Sequence, residues 1–239
     1  MFFRHLLLFL LFNLFIAASS SNLIFAEEQT ENTHSNIQKR PAPPRRIPPN
    51  KVKPGGGLDF ARQACIDDTE SLTALIPVDN PVLTVSSHPS FLFYIPDAPS
   101  AMQSGEFSLF TADEKSRIYS TSITFEQTPG VIKIDLPPSE EYALEKGKLY
   151  HWYFKINCQS DANSLTYLDV NGWIKPVEAT FARQSKIDTA DPDIWYDAIA
   201  KVAEDLINFP QDAAIRDRWK KLLKYIDLEE LENIPVIKK

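Results

Sequence analysis

Sulfur and imidazole are scarce in this chain: 239 residues contain two cysteines, two methionines and four histidines. Two cysteines make neither the disulfide-dense framework of a small secreted scaffold nor the four-thiolate set of a structural zinc site. The histidines, at 5, 34, 88 and 151, show none of the close spacings that bring imidazoles together on a helix or across a turn. His88 precedes a proline and His151 takes the outward face of a strand, so a shared metal site is not expected. Cys-x-x-Cys, His-Glu-x-x-His, phosphate-loop and nucleophile-elbow signatures are missing too. The sequence assigns no catalytic residue, no metal ligand and no cofactor. Bases are outnumbered by acids, 25 to 32, and a formal charge of -7 with a pI near 5.2 excludes the overall basic character that a nucleic-acid partner calls for.

No apolar stretch reaches the roughly 20 residues that cross a bilayer. The longest, Leu6 to Ala18, follows Arg4 and His5, is interrupted by Asn13, and leads into Ser19, Ser20 and later Ala26. That charged, apolar, small-residue order is the order of an export signal, expected over residues 1–26 with cleavage after Ser20 or after Ala26. No cysteine adjoins the junction to accept a lipid, so the mature protein is expected to be soluble, in the periplasm or outside the cell. In an oxidising compartment Cys65 and Cys158 are expected to join. Their bridge closes a loop of about 90 residues, worth roughly 4 kcal/mol in the chain-entropy model.

What the chain does contain is arranged in blocks. Residues 27–57 are expected to form a disordered, basic, proline-rich linker. Lys39 to Gly57 packs in six prolines, six basic residues and three consecutive glycines, with no acid. Its two readings are a solvated spacer and a basic tether for an anionic surface such as lipid headgroups or cell-wall polymer. Membrane contact is otherwise limited to an uncleaved signal.

Residues 58–182 read as a β-sandwich of about seven short antiparallel strands. Tyr119, Thr121, Ile123 and Phe125 alternate with Ser120, Ser122 and Thr124, and Ile132, Ile134 and Leu136 alternate with Lys133 and Asp135. Tyr150, Trp152, Phe154, Ile156 and Cys158 share one face of the clearest strand. Cys158 is thus in phase with the core, and its bridge to Cys65 would pin the linker exit to the body. Phe91 to Ile95 is apolar on both faces, which fits either a strand covered on both sides or an exposed aromatic surface. Leu144, Gly147 and Tyr150 resemble the tyrosine corner of immunoglobulin-like and fibronectin type III sandwiches. Trp173 to Glu178, which contains Pro176, is expected at a sheet edge.

Residues 183–239 then switch to helical period and are expected to form a hairpin packed on the sandwich. Asp191-Pro192-Asp193 supplies caps ahead of the stripe Trp195, Ala198, Ile199, Val202, Ala203, Leu206. Asp212 caps a second stripe of Ile215, Trp219, Leu222, Leu223 and Ile226, and a last turn follows from Leu228 to Asn233. Asp191 and Asp193 read as caps rather than metal ligands, and Asp161, Asn163 and Asp169 as turn residues, because the glycine and bidentate glutamate of a calcium loop are missing.

Aromatic side chains give the one functional pull. Phe91, Phe93, Tyr94, Trp152, Tyr153 and Trp173 crowd a small sandwich; most of them are assigned first to the core, and any left open would suit stacking on sugar rings or docking an extended peptide. The segments Leu72–Pro77, His88–Pro96, Tyr150–Phe154, Cys158, Gly172–Ile174 and Ile194–Ala198 resemble the Domain of Unknown Function 928 family of cyanobacterial exported proteins. The resemblance runs from about Gly55 to Ile237. It implies an envelope or extracellular location and a sandwich with helices, and no activity. The expected function is a non-enzymatic interaction module of the cell envelope whose partner is an envelope protein or cell-wall glycan. The competing expectations are a carbohydrate-binding module using exposed aromatics and an unrecognised envelope hydrolase.

Overall fold

The computed structural model describes residues 47–54, 71–79, 81–96, 102–125, 128–159 and 165–238. Among them are nine strands: β1 (Thr73–Ala74), β2 (Val82–Thr84), β3 (Ser90–Ile95), β4 (Met102–Thr111), β5 (Arg117–Thr124), β6 (Gly130–Asp135), β7 (Tyr150–Gln159), β8 (Leu165–Pro176) and β9 (Val236–Lys238). Three α-helices lie between β8 and β9: α1 (Phe181–Asp188), α2 (Trp195–Asn208) and α3 (Ala213–Tyr225). The strands form two mixed sheets, ordered β1-β3-β6-β9 and β2-β8-β7-β4-β5. Most pairs are antiparallel; β2 on β8 and β9 on β6 are parallel.

Alternation in the sequence becomes the sandwich core. On β7, Trp152, Phe154 and Ile156 are fully buried, while the alternating Lys155 and Asn157 are exposed. From the facing sheet, Phe93 stacks on Phe154 with ring centroids 4.4 Å apart, and Phe91 meets Phe107 at 4.6 Å. β3 has no open face: every residue from Phe91 to Ile95 is buried. Burying side chains of this size is worth about 2 to 3 kcal/mol each before entropy is counted.

Helix α2 fills the gap at the β1/β2 margin, using the polar ends of aromatic residues. Trp195 Nε1 donates to the Leu75 carbonyl at 2.8 Å. Tyr196 hydroxyl accepts from Trp152 Nε1 at 2.7 Å and donates to the Trp173 carbonyl at 3.5 Å. Burial pushes the Tyr196 hydroxyl far above the usual phenol range. The Asp197 carboxylate accepts from Val85 N–H at 2.9 Å, and its partial burial, outweighing that bond, raises its pKa above the ordinary aspartate value. Asp191 and Asp212 act as caps, accepting from Asp193 N–H at 2.9 Å and Ile215 N–H at 3.0 Å.

Four features depart from the sequence reading. First, the basic linker is ordered at its end. Asn50 is buried, its Oδ1 accepts from Trp173 N–H at 2.9 Å, and its Nδ2 donates to the Pro77 carbonyl at 2.8 Å. Lys51 exchanges two backbone hydrogen bonds with Asn171, and the Val52 carbonyl accepts from Ala74 N–H at 2.8 Å. Residues 50–52 therefore strap β1 of one sheet to β8 of the other; proline-rich composition hid a strap that needs only three residues.

Second, Trp173 is no edge residue. It lies within the twelve-residue β8, flanked by β7 and β2, and Pro176 is tolerated because it sits at the strand end, where its carbonyl accepts from Gly147 N–H at 2.8 Å. Third, the boundary expected after residue 182 falls inside α1, a helix without an apolar stripe, in which Ile187 is the buried residue. Fourth, the chain returns to the sheet after α3: β9 pairs with β6, Val131 opposite Val236, so the helices are bracketed by the sandwich on both sides.

Candidate functional site

A groove runs along the rim where the sandwich meets the helices. Two adjoining depressions, of about 450 and 350 Å³, share Pro77, Asp79 and Tyr225. The larger is walled by Pro81, Val82 and Leu83 on one side and by Ala182, Arg183 and Ile194 on the other. The Asp191 cap fixes the Pro192–Ile194 turn that forms the wall opposite β2. Tyr225, at the last residue of α3, is 58% exposed although its ring lies 5.8 Å from Trp195. Val78 is 53% exposed, and Phe181, next to the lining residue Ala182, is 92% exposed. Two large apolar side chains are thus left open along the adjoining depressions, Tyr225 in both and Val78 in the smaller, with Phe181 beside the larger.

The groove has a definite charge pattern. Lys186 and Asp193 neutralise each other as an ion pair. Arg183 gives one guanidinium N–H to the Glu178 carbonyl at 2.6 Å, and among the described residues neither Arg183 nor Asp79 has a carboxylate or basic partner in an ion pair.

The aromatic residues that could have formed a binding surface belong instead to the core. Phe91, Phe93, Tyr94, Trp152 and Trp173 are all in the interior, Trp152 completely. The cause is double coverage: the far sheet packs on one face of β3, α2 lies against the same strand, and His151 lies flat on Trp173 at 3.9 Å with the rings 2° from parallel. Only Tyr153 of the six stays half-buried. Its hydroxyl donates to Glu114 at 2.9 Å, and burial together with that carboxylate pushes its pKa well above the usual phenol value.

His151 is as enclosed as its neighbours. Nδ1 lies 2.7 Å from Glu114 Oε1 and Nε2 lies 3.1 Å from Asn171 Oδ1, so both nitrogens are occupied and neither is presented to a substrate as general base. The hydrogen bonds from His151 and Tyr153 hold the Glu114 carboxyl below its ordinary range. His88 is likewise held in its turn, by Ser87 Oγ and the Ser139 carbonyl, each at 3.0 Å. Asp169 pairs with Lys51 at 2.7 Å. Among the described residues no three His, Cys, Asp or Glu side chains are grouped to hold a metal ion.

Tyr150 forms the corner its spacing suggests. Its hydroxyl accepts from Glu145 N–H at 2.9 Å, and Gly147 between them has φ of 79°, the left-handed region that favours glycine. Cys65 and the side chain of Cys158 lie outside the described residues, as do the expected signal, the linker up to residue 46, Asp161 and Asn163. Among the described residues no helix is long and apolar enough to cross a membrane.

Sequence reasoning missed the groove because Val78, Arg183 and Tyr225 come from three distant segments. The one local sign was Phe181, an aromatic residue at the head of an otherwise polar helix.

Fold and rim together define a two-sheet β-sandwich braced by helices, with a groove at the seam. A family model described as Domain of Unknown Function (DUF928) matches residues 55–236, and the chain belongs to that family. No curated protein matches it. One similar solved structure is the fn3 domain of the human collagen alpha-1(XX) chain, at a TM-score of 0.25 and 14% identity, over 40% of this chain and 75% of that one.

Proposed function

We propose that this chain is a non-enzymatic interaction module of the cell envelope that takes an extended segment of a protein partner in the groove between sandwich and helices. The observation that carries the reading is the pair of adjoining depressions that share Pro77, Asp79 and Tyr225, along which Tyr225 and, in the smaller one, Val78 stay more than half exposed. The remaining parts of the reading rest on the sequence. The first 26 residues export the chain, Cys65 and Cys158 join after export, and the basic segment before residue 50 spaces the body from the surface it serves.

A photo-crosslinking residue at position 225, compared with one at position 122 on the far strand β5, tests this in the native envelope. The expected result is a protein adduct at 225 alone, whose purified partner binds the Tyr225→Ala variant about tenfold more weakly, or about 1.4 kcal/mol. Equal labelling at both positions, or cleavage of a glycan or peptide library by the purified chain, refutes it.

One observation favours a second reading, carbohydrate binding on the outer face of the five-stranded sheet. Tyr167 is 55% exposed, and Lys155 Nζ lies 5.2 Å from its ring centre and 5.7 Å from that of Tyr153. A glycan that binds wild type and fails on Tyr167→Ala, with Tyr225→Ala unaffected, would install this reading in place of the first.

A further inference from the structure

We infer that the occupant of the groove is bound as an added β-strand on β2, paired to the backbone of Leu83; this rests on the groove reading above. In the parallel pair of β2 and β8, Val82 stands opposite Ile174 and Thr84 opposite Pro176. Val177 N–H donates to the Thr84 carbonyl at 2.8 Å, which shows that the polar groups of Thr84 face β8. Along a strand these groups alternate in side, so the N–H and C=O of Leu83 point the other way, out of the sheet. Leu83 is itself part of the wall of the larger depression and is only half-buried.

Among the described residues no backbone hydrogen bond is made to the outer edge at Leu83, and the edge is closed on both sides of it. Val85 N–H is taken by the Asp197 carboxylate at 2.9 Å, and Pro81 has no N–H to offer. Sheet edges are normally blunted by such devices along their whole length. Here the blunting stops at the residue that faces the groove.

Charge identifies the class of peptide. Arg183 stands in the wall opposite β2 and Asp79 at the junction of the two depressions, each without an ion-pair partner among the described residues. An extended peptide laid along Leu83 therefore satisfies the groove when it places an acidic residue by Arg183 and apolar residues against Val78 and Tyr225, while Asp79 shares the smaller depression with Lys53. One strand step provides two main-chain hydrogen bonds, and side-chain pockets give the selectivity.

A displayed library of random dodecapeptides selected on the mature chain supplies the probe. The expected binders weaken about tenfold on Tyr225→Ala and slow hydrogen exchange of the Leu83 amide about tenfold or more. They also lose affinity when the residue paired with Leu83 is N-methylated, and Arg183→Glu reverses their preference for an acidic residue. Binders that respond to Tyr225→Ala but leave Leu83 exchange unchanged overturn strand addition and leave the groove reading standing. A library that gives no binder sensitive to Tyr225→Ala overturns both.

Discussion

The sandwich is finished differently on its two sides. At the β5 margin the five-stranded sheet stops at an eight-residue strand of alternating exposure, where Ser120, Ser122 and Thr124 face water and the nearest aromatic contact is Tyr119 with Tyr142 at 5.1 Å. At the β1/β2 margin three separate pieces of chain converge: the 50–52 strap, the first turn of α2 with the rings of Trp195 and Tyr196, and Trp152 of β7. A polar, β-branched strand can end a sheet by itself. The second margin holds buried donors that must be matched, and the groove opens beside it because the strand there is short enough to leave space for helices.

The contrast can be broken most forcefully at Gly172. A Cβ there would lie 2.5 Å from Trp152 Cζ2, 2.7 Å from Ile76 Cδ1 and 3.0 Å from Asn50 Oδ1, so Gly172→Ala should cost about 3 kcal/mol in urea unfolding and loosen the strap. Tyr196→Phe leaves Trp152 Nε1 buried without its acceptor, with an expected loss of about 2 kcal/mol by the same measurement. Asn50→Ala removes the acceptor of Trp173 N–H, and a loss of about 1.5 kcal/mol is expected, with faster exchange of the Trp173 amide. If Asn50→Ala exchanges like wild type, the strap is not what closes this side.

Acid separates the two margins by sign. The Asp197 pKa is raised in the folded state, so its contribution to stability is present below the ordinary aspartate value and is lost as pH rises through the folded pKa. Asp197→Asn, which keeps an acceptor for Val85 N–H, should therefore gain on wild type in melting temperature as pH increases. Glu114, in the turn before β5, is lowered, so its contribution is present above the ordinary glutamate value and lost as pH falls through the folded pKa. Glu114→Gln should accordingly differ most from wild type near neutrality and least in acid. The smallest effect belongs to the bare strand: Ser122→Ala should change stability by no more than about 0.5 kcal/mol.

How far the sequence could be read depends on how long each pattern is. Alternation over Tyr150–Ile156 spans enough residues to declare a strand and its inward face, and the stripe from Trp195 to Ala203 does the same for a helix; alternation over Gly130–Asp135 found the strand and missed its burial on both faces, where Lys133 is covered as fully as Ile132 and Ile134. The caps at Asp191 and Asp212 and the corner at Tyr150 are local chemistry, legible without neighbours. β1, β2 and β9 are two or three residues long and carry no period; they exist because an edge elsewhere accepts them. The run Phe91–Ile95 fitted two opposite environments equally, and only the layer of helices decides for burial. The groove was least legible of all, since exposure at Val78, Phe181 and Tyr225 is a property of assembled surfaces.

The parallel seat of β9 on β6 sets the order in which this molecule can become whole. The first sheet lacks its outer member until residues 236–238 are delivered, and Lys238 then lies 3.5 Å from Glu204 and 3.7 Å from Asp135, locking tail, helix and sheet at one point. Contacts that join residues about a hundred positions apart form late and slowly. A chain cut short before Val236 would thus lose the outer strand of that sheet and both of these ion pairs in one step.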